Sequence, residues 1–307
     1  MIAGIPRTLT LILCVFLLVL VGAGEARAWC QLTTAPPDPE DPLACVEDGA
    51  PLAWRRGNLN YSFQMDGART LNRSAVELTF SQAFDAWLVL DCGGAGHGFE
   101  VRRGTDVVCD TPFHANRGPN NHLIAFVDDW NARGYPRRAL ANTTIWFLPS
   151  TGEIVDVDME VNEQNRDLEV CPRQGCREGF VDLPSVATHE VGHFFGLGHS
   201  DVREATMFPE ADANLTGLRT LAGDDVEGFC AIYGGIDLRD SSFEPRGGFT
   251  TECAANTSGG GSGGCAVGGP LDAAPAAGLL AVGLAVIGGG WRRRGHARRR
   301  GAHTPAG

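Results

Sequence analysis

The chain has 307 residues, 20% of them charged, with a formal net charge of −12 and no lysine, so arginine carries all of its basic side-chain charge at neutral pH. Hydrophobic residues make up 43%, enough for one large core, and so acidic a surface excludes nucleic acid as a partner. Ten cysteines, nine of them behind an export-type N-terminus, point to an oxidising compartment.

Arg7, the apolar run 9–21 and the small-x-small site Ala26-Arg27-Ala28 make residues 1–28 a secretory signal peptide. Residues 29–51 are Pro-rich and acidic, as in Pro36-Pro37-Asp38-Pro39, and read as an extended lead-in too short for a folded prodomain. A catalytic-type domain over 52–235 follows. Residues 58–64 alternate as a first strand, and 71–90 has helical spacing, with Val76, Phe80, Phe84, Trp87 and Leu88 on one face to bury against a sheet. Residues 100–103 and 123–127 read as strands. Residues 143–148, the turn Pro149-Ser150-Thr151-Gly152 and residues 153–161 read as strand, turn, strand. In Asp156-Val157-Asp158-Met159-Glu160-Val161 acidic and apolar residues alternate, which predicts a half-exposed edge strand. Such an edge is either the rim of a cleft that pairs with an extended peptide or an ordinary edge guarded by charge.

Asp182, Pro184 and Ser185 mark a helix start, and His189-Glu190-Val191-Gly192-His193-Phe194-Phe195-Gly196-Leu197-Gly198-His199 follows. Residues four apart share a helix face, so His189 and His193 can aim ring nitrogens at one zinc ion. Gly196 lets the helix stop and the chain double back, which brings His199 in as third ligand. Three protein ligands leave a coordination position for water, the mark of a catalytic site. Glu190 lies beside the ligand set but outside it, where a carboxylate can take a proton from that water. Met207-Phe208-Pro209 comes next, then a final helix over 221–233 with Asp224 and Asp225 at its start, where carboxylates suit the helix dipole.

Residues 236–264 form an extension ending in a Gly/Ser-rich linker, and 265–307 hold Cys265, an uncharged run over 273–291 and the cluster Arg292, Arg293, Arg294, Arg298, Arg299 and Arg300. This reads as a membrane-spanning sorting tail, and predicts an exported chain held at the cell surface through it. Eight cysteines from Cys30 to Cys253 allow up to four disulfides, and proximity in sequence pairs Cys92 with Cys109 and Cys171 with Cys176.

The pattern H-E-x-x-H-x-x-G-x-x-H is the metzincin signature. Together with Ser200, Met207-Phe208-Pro209 and the stretch from Asp224-Asp225-Val226-Glu227-Gly228 to Tyr233-Gly234, it resembles the matrixins, the metzincin branch that includes matrix metalloproteinases. The resemblance implies an α/β (α+β) zincin-like fold: a twisted five-stranded sheet, mostly parallel with one antiparallel edge strand, three main helices and an active-site cleft. It implies one catalytic zinc on His189, His193 and His199, with Glu190 as general base and then acid. Met207 would lie under the site, and Phe208 and Pro209 would shape the pocket for the residue after the scissile bond. Protein or peptide substrates follow from it, as does structural calcium, although no EF-hand spacing is present. The C-terminal tail resembles the sorting tails of myxobacterial surface proteins, with Cys265 as processing or attachment point. These readings make the chain a zinc-dependent endopeptidase. The alternative is a zinc-stabilised surface protein that binds peptides without cutting them. Neither reading fixes an oligomeric state.

Overall fold

A computed structural model describes residues 28–36, 41, 44–94, 96–116, 118–211, 216–239, 242–252, 278–282 and 285–286. Five strands and three helices carry the domain: β1 (Asn58–Phe63), α1 (Arg73–Leu88), β2 (Glu100–Arg103), β3 (Leu123–Val127), β4 (Ala141–Phe147), β5 (Ile154–Asn162), α2 (Leu183–Phe194) and α3 (Gly223–Tyr233). The five strands lie in the order β2-β1-β3-β5-β4; the first four are parallel and β4 is antiparallel to β5. This is the mixed α/β sheet that the metzincin resemblance implies.

Aromatic side chains at alternate positions hold α1 to the sheet. Tyr61 and Phe63 of β1 face one way and meet the stripe on α1, with Tyr61 stacked on Phe84 at 4.6 Å and Phe63 edge-on to Phe80 at 5.6 Å. Trp87, expected as a core anchor, is fully buried, and its indole donates to the Thr188 carbonyl of α2, so α1 and α2 are fixed together. Strand β3 is buried on both faces. Ile124 and Phe126 join the main core, whereas Leu123, Ala125 and Val127 join a smaller cluster around Val107 and Trp130.

Strand β5 corrects the expectation for residues 156–161. It is no edge: it runs between β3 and β4, and all nine of its residues are buried. The acids are dry because loops from elsewhere cap them. Asp156 lies 2.8 Å from His114 Nδ1, Asp158 accepts the backbone N–H groups of Phe113 and Leu123, and Glu160 accepts from Arg133 at 2.6 Å and from the Tyr135 hydroxyl. Burial pushes all three carboxyls above the usual range. On this side β5 is followed by β4, whose other edge pairs with Gly278–Val282.

Short strands β6 (Asp167–Glu169) and β7 (Phe180–Asp182) pair in parallel ahead of α2. The loop between them is closed by Cys171–Cys176, as expected. Cys92 is not paired with Cys109: it bonds Cys230 of α3, 138 residues away, while Cys109 takes part in another disulfide. Proximity along the chain misleads here because α1 and α3 converge, with Trp87 and Phe229 5.8 Å apart, and bring Cys92 and Cys230 together. Cys30–Cys45 ties the lead-in, whose Leu32 N–H and Cys30 carbonyl bond Gly196 and Gly198 beside the third histidine.

The expected signal peptide and most of the expected tail lie outside the described residues. Within the 273–291 run, Gly278–Val282 is a strand antiparallel to β4, and Ala285–Val286 pairs with Glu210–Ala211. Among the described residues no helix is long and apolar enough to cross a membrane.

Candidate metal centre

Helix α2 starts where the sequence places it. Asp182 is the N-cap, its carboxylate accepting the Ser185 N–H at 3.0 Å, and Pro184 occupies the first turn, where no N–H is missed. Arg219 clamps the same carboxylate and the Cys171 carbonyl, which locks the cap to the loop before it. At the other end Gly196 has φ 83, a value that side chains resist, and a Cβ there would come within 2.7 Å of the Leu52 carbonyl oxygen. The chain therefore turns back at Gly196, where glycine is required.

The three histidines converge. Ring centroids are 4.7 Å apart for His189 and His193, 4.9 Å for His193 and His199, and 5.4 Å for His189 and His199. One ligand atom from each lies within 4.8 Å of the other two. The Nδ1 of His189 sits 2.7 Å from the Thr206 carbonyl and that of His193 2.8 Å from the Leu197 carbonyl. A carbonyl accepts only, so each Nδ1 carries its proton and each Nε2 keeps its lone pair for a metal. Those two Nε2 atoms are buried and make no hydrogen bond within the protein. Burial, reinforced by the neighbouring imidazoles, holds His189 down to about 3 and His193 well below its ordinary value. Neutral imidazoles with lone pairs aimed at one point fit zinc.

Glu190 is fully buried beside this triad, and the Thr143 hydroxyl of β4 donates to its Oε2 at 2.6 Å. Thr143 is absent from the sequence reading. It lies 47 residues from Glu190, and only the pairing of β4 with β5 brings it under α2. Met207 lies beneath α2, and a methyl group on Gly192 would collide with its sulfur. Asp225 fixes this turn: its carboxylate accepts the N–H groups of Thr206, Met207 and Ala222 at 2.7–3.0 Å. The dipole role expected of Asp225 is thus joined by a more specific one, while Asp224 accepts from the Ser200 hydroxyl. Phe208 and Pro209 follow the turn, half-buried. Residues 156–161, expected at the cleft rim, are brought away from it into the sheet interior.

A second grouping of ligand types, Cys171, Cys176 and Asp182, is already used by a disulfide and a helix cap. A cavity of about 280 Å³ near Trp54, Arg56, His122 and Arg246 has none of the zinc-site histidines in its walls.

Residues 128–234 match the sequence model of the matrixin family. Metalloendoproteinase 5-MMP of Arabidopsis thaliana is 53% identical over 55 residues, 18% of this chain and 15% of that protein. Matrilysin of Rattus norvegicus is 43% identical over 118 residues, 38% of this chain and 41% of that protein. Interstitial collagenase B of Mus musculus is 27% identical over 219 residues, 66% of this chain and 41% of that protein. The chain thus spans less than half the length of each of these relatives. Residues 128–234 are thus matrixin-like, and the three converging histidines lie within that stretch.

Proposed function

We propose that the chain is an exported zinc-dependent endopeptidase in which Glu190 is the general base. The observation that carries this reading is the convergence of His189, His193 and His199 with a buried carboxylate next to them. A zinc ion on the three Nε2 atoms would supply Lewis-acid polarisation of the scissile carbonyl and a water of lowered pKa. Glu190 takes the proton of the attacking water and returns it to the leaving amine. Thr143, by donating to Oε2, holds the carboxylate in one orientation beside the triad.

Substrate binding is assigned to β4 in place of residues 156–161. Its outer edge takes an extended segment by main-chain pairing, as it does Gly278–Val282 in this structure, and Thr143 sets that edge beside Glu190. Main-chain pairing along an edge leaves both ends of a peptide free, which favours internal cleavage. Phe208 and Pro209 form the opposite wall. Export is supported by the signal-like N-terminus and three described disulfides, and surface attachment by Cys265 and the arginine cluster.

A quenched peptide library offered to the full chain, with and without a chelator, tests the reading. Cleavage is expected within the peptides, abolished by the chelator, restored by zinc and lost in Glu190→Ala. Hydrolysis at equal rate in Glu190→Ala would remove the proposed base.

A further inference from the structure

Gly196-Leu197-Gly198 joins helix α2 to His199, and two glycines in three residues give this link wide backbone freedom. A segment from far up the chain takes that freedom away. Gln31 lies opposite Leu197 in an antiparallel bridge. The Leu32 N–H donates to the Gly196 carbonyl at 3.0 Å, and the Gly198 N–H donates to the Cys30 carbonyl at 2.8 Å. Leu197, held between these two bonds, gives its own carbonyl to His193 Nδ1 at 2.8 Å. The pairing therefore acts on two of the three histidines, on His193 through Leu197 and on His199 through Gly198. Packing is close as well, since a methyl group on Gly198 would come within 3.2 Å of Cys30 Cβ and Sγ. The segment is fastened on both sides. Trp29 lies over Gly228 of α3 and its indole N–H donates to Glu227 at 3.3 Å, while Cys30 is bonded to Cys45 and the Leu32 carbonyl accepts the Leu52 N–H at 2.7 Å.

We propose that residues 30–32, fastened by the Cys30–Cys45 disulfide, are a positioning strand of the metal centre, and that by fixing the 196–198 link they raise the affinity of His189, His193 and His199 for zinc. This rests on the zinc-site reading above. A link left loose would have to be ordered by the metal itself, and the entropy of fixing a glycine backbone would be subtracted from the binding free energy. With the lead-in paired, folding has already ordered the link, so the ligands are pre-organised. Residues 30–32 act only through Gly196 and Gly198. Loosening them should therefore speed the release of zinc and leave Glu190 and Thr143 as they are.

The test follows zinc release from the loaded full chain into an excess of a chromogenic chelator. Leu32→Pro removes the N–H that bonds Gly196, whereas Leu32→Ala at the same position keeps it. Cys30→Ala with Cys45→Ala opens the fastening and leaves every main-chain donor in place. Release is expected to quicken about tenfold or more in the proline and double-alanine variants, as for groups that orient metal ligands, and to stay close to wild type in Leu32→Ala. Glu160→Ala controls for stability, because it loosens the loops over β5 and touches no part of the lead-in; its zinc should leave at the wild-type rate. Release within about twofold of wild type in both lead-in variants overturns the proposal, as does equal quickening in Glu160→Ala. A measurement on the wild-type sequence needs no variant to fold: in the zinc-free chain the Gly198 amide should be protected from hydrogen exchange, and unprotected exchange there also overturns the proposal. A wild-type chain that takes up no zinc sinks the zinc-site reading itself, whereas zinc uptake and peptide cleavage with unaltered release in the lead-in variants sink this inference alone.

Discussion

Helix α2 and strand β5 both place charged or metal-binding side chains at regular spacing, and they use them in opposite ways. On α2, His189 and His193 keep lone pairs that the protein leaves unbonded, and Glu190 has one oxygen held by Thr143. On β5, Asp156, Asp158 and Glu160 are bonded by loops that fold over the sheet. Equal burial thus has two meanings: a group buried with bonding capacity to spare is poised for a ligand, whereas a group buried with its capacity filled is structural. Variants that separate activity from stability test this distinction directly.

The largest effect is expected on α2. Glu190→Ala should lower kcat/KM by about 10³–10⁴-fold, within the range of general acid-base catalysis, with zinc content unchanged. His193→Ala should lose both zinc and activity. Peptide turnover and bound zinc, measured on the same preparation, check both. On β5 the loss should fall on stability. Glu160→Ala leaves Arg133 with Asp129 as its remaining carboxylate partner and strands the Tyr135 hydroxyl, at a cost of about 3 kcal/mol. A shifted urea midpoint with unaltered kcat/KM per folded molecule is the expected result. Loss of catalysis without loss of stability would instead place Glu160 in the site and erase the contrast with Glu190.

The same contrast explains what could be read in advance. His189, Glu190, His193, Gly196 and His199 fall within eleven consecutive residues, and helix geometry with one glycine turn is enough to bring them together. The sheet was legible for a similar reason, because strand alternation and the aromatic stripe of α1 are local patterns. The alternation in β5 was just as clear, yet it gave the wrong environment. Period two says that the acids share a face, not that water covers it, and residues 113–114 and 133–135 supply the cover from far along the chain. Thr143 and Asp225 were hidden likewise. Their roles depend on β4 lying under α2 and on α3 lying under the Met207 turn, neither of which leaves a mark in local sequence.

Thr143 sharpens the comparison at its boundary, since it belongs to the sheet and acts on the helix. Thr143→Val removes the hydroxyl and leaves a buried carboxylate oxygen without that donor, worth about 2 kcal/mol or roughly thirtyfold in kcat. Zinc content should hold, and Thr143→Ser should restore most of the rate. A fall in stability without a change in kcat would make the contact structural, like those on β5.

The smallest effect lies at His122, whose ring packs edge-on against Phe194 of α2. Burial holds His122 neutral down to about 4, and its Nδ1 is fixed 2.7 Å from the Asn60 carbonyl. An unfolded histidine protonates near 6.5, so below that pH the unfolded chain binds a proton that the folded chain refuses. The stability that His122 contributes is therefore complete above about 6.5 and is lost as pH falls toward 4. Between pH 6.5 and 5.5 the loss should be about 1 kcal/mol. His122→Asn removes the titrating group, so the gap between wild type and variant in urea midpoint should narrow over that interval. A gap that widens on acidification would mean that the nearby Asp156, 3.6 Å from His122 Nε2, stays ionised and favours the imidazolium, which would make this part of β5 a buried ion pair.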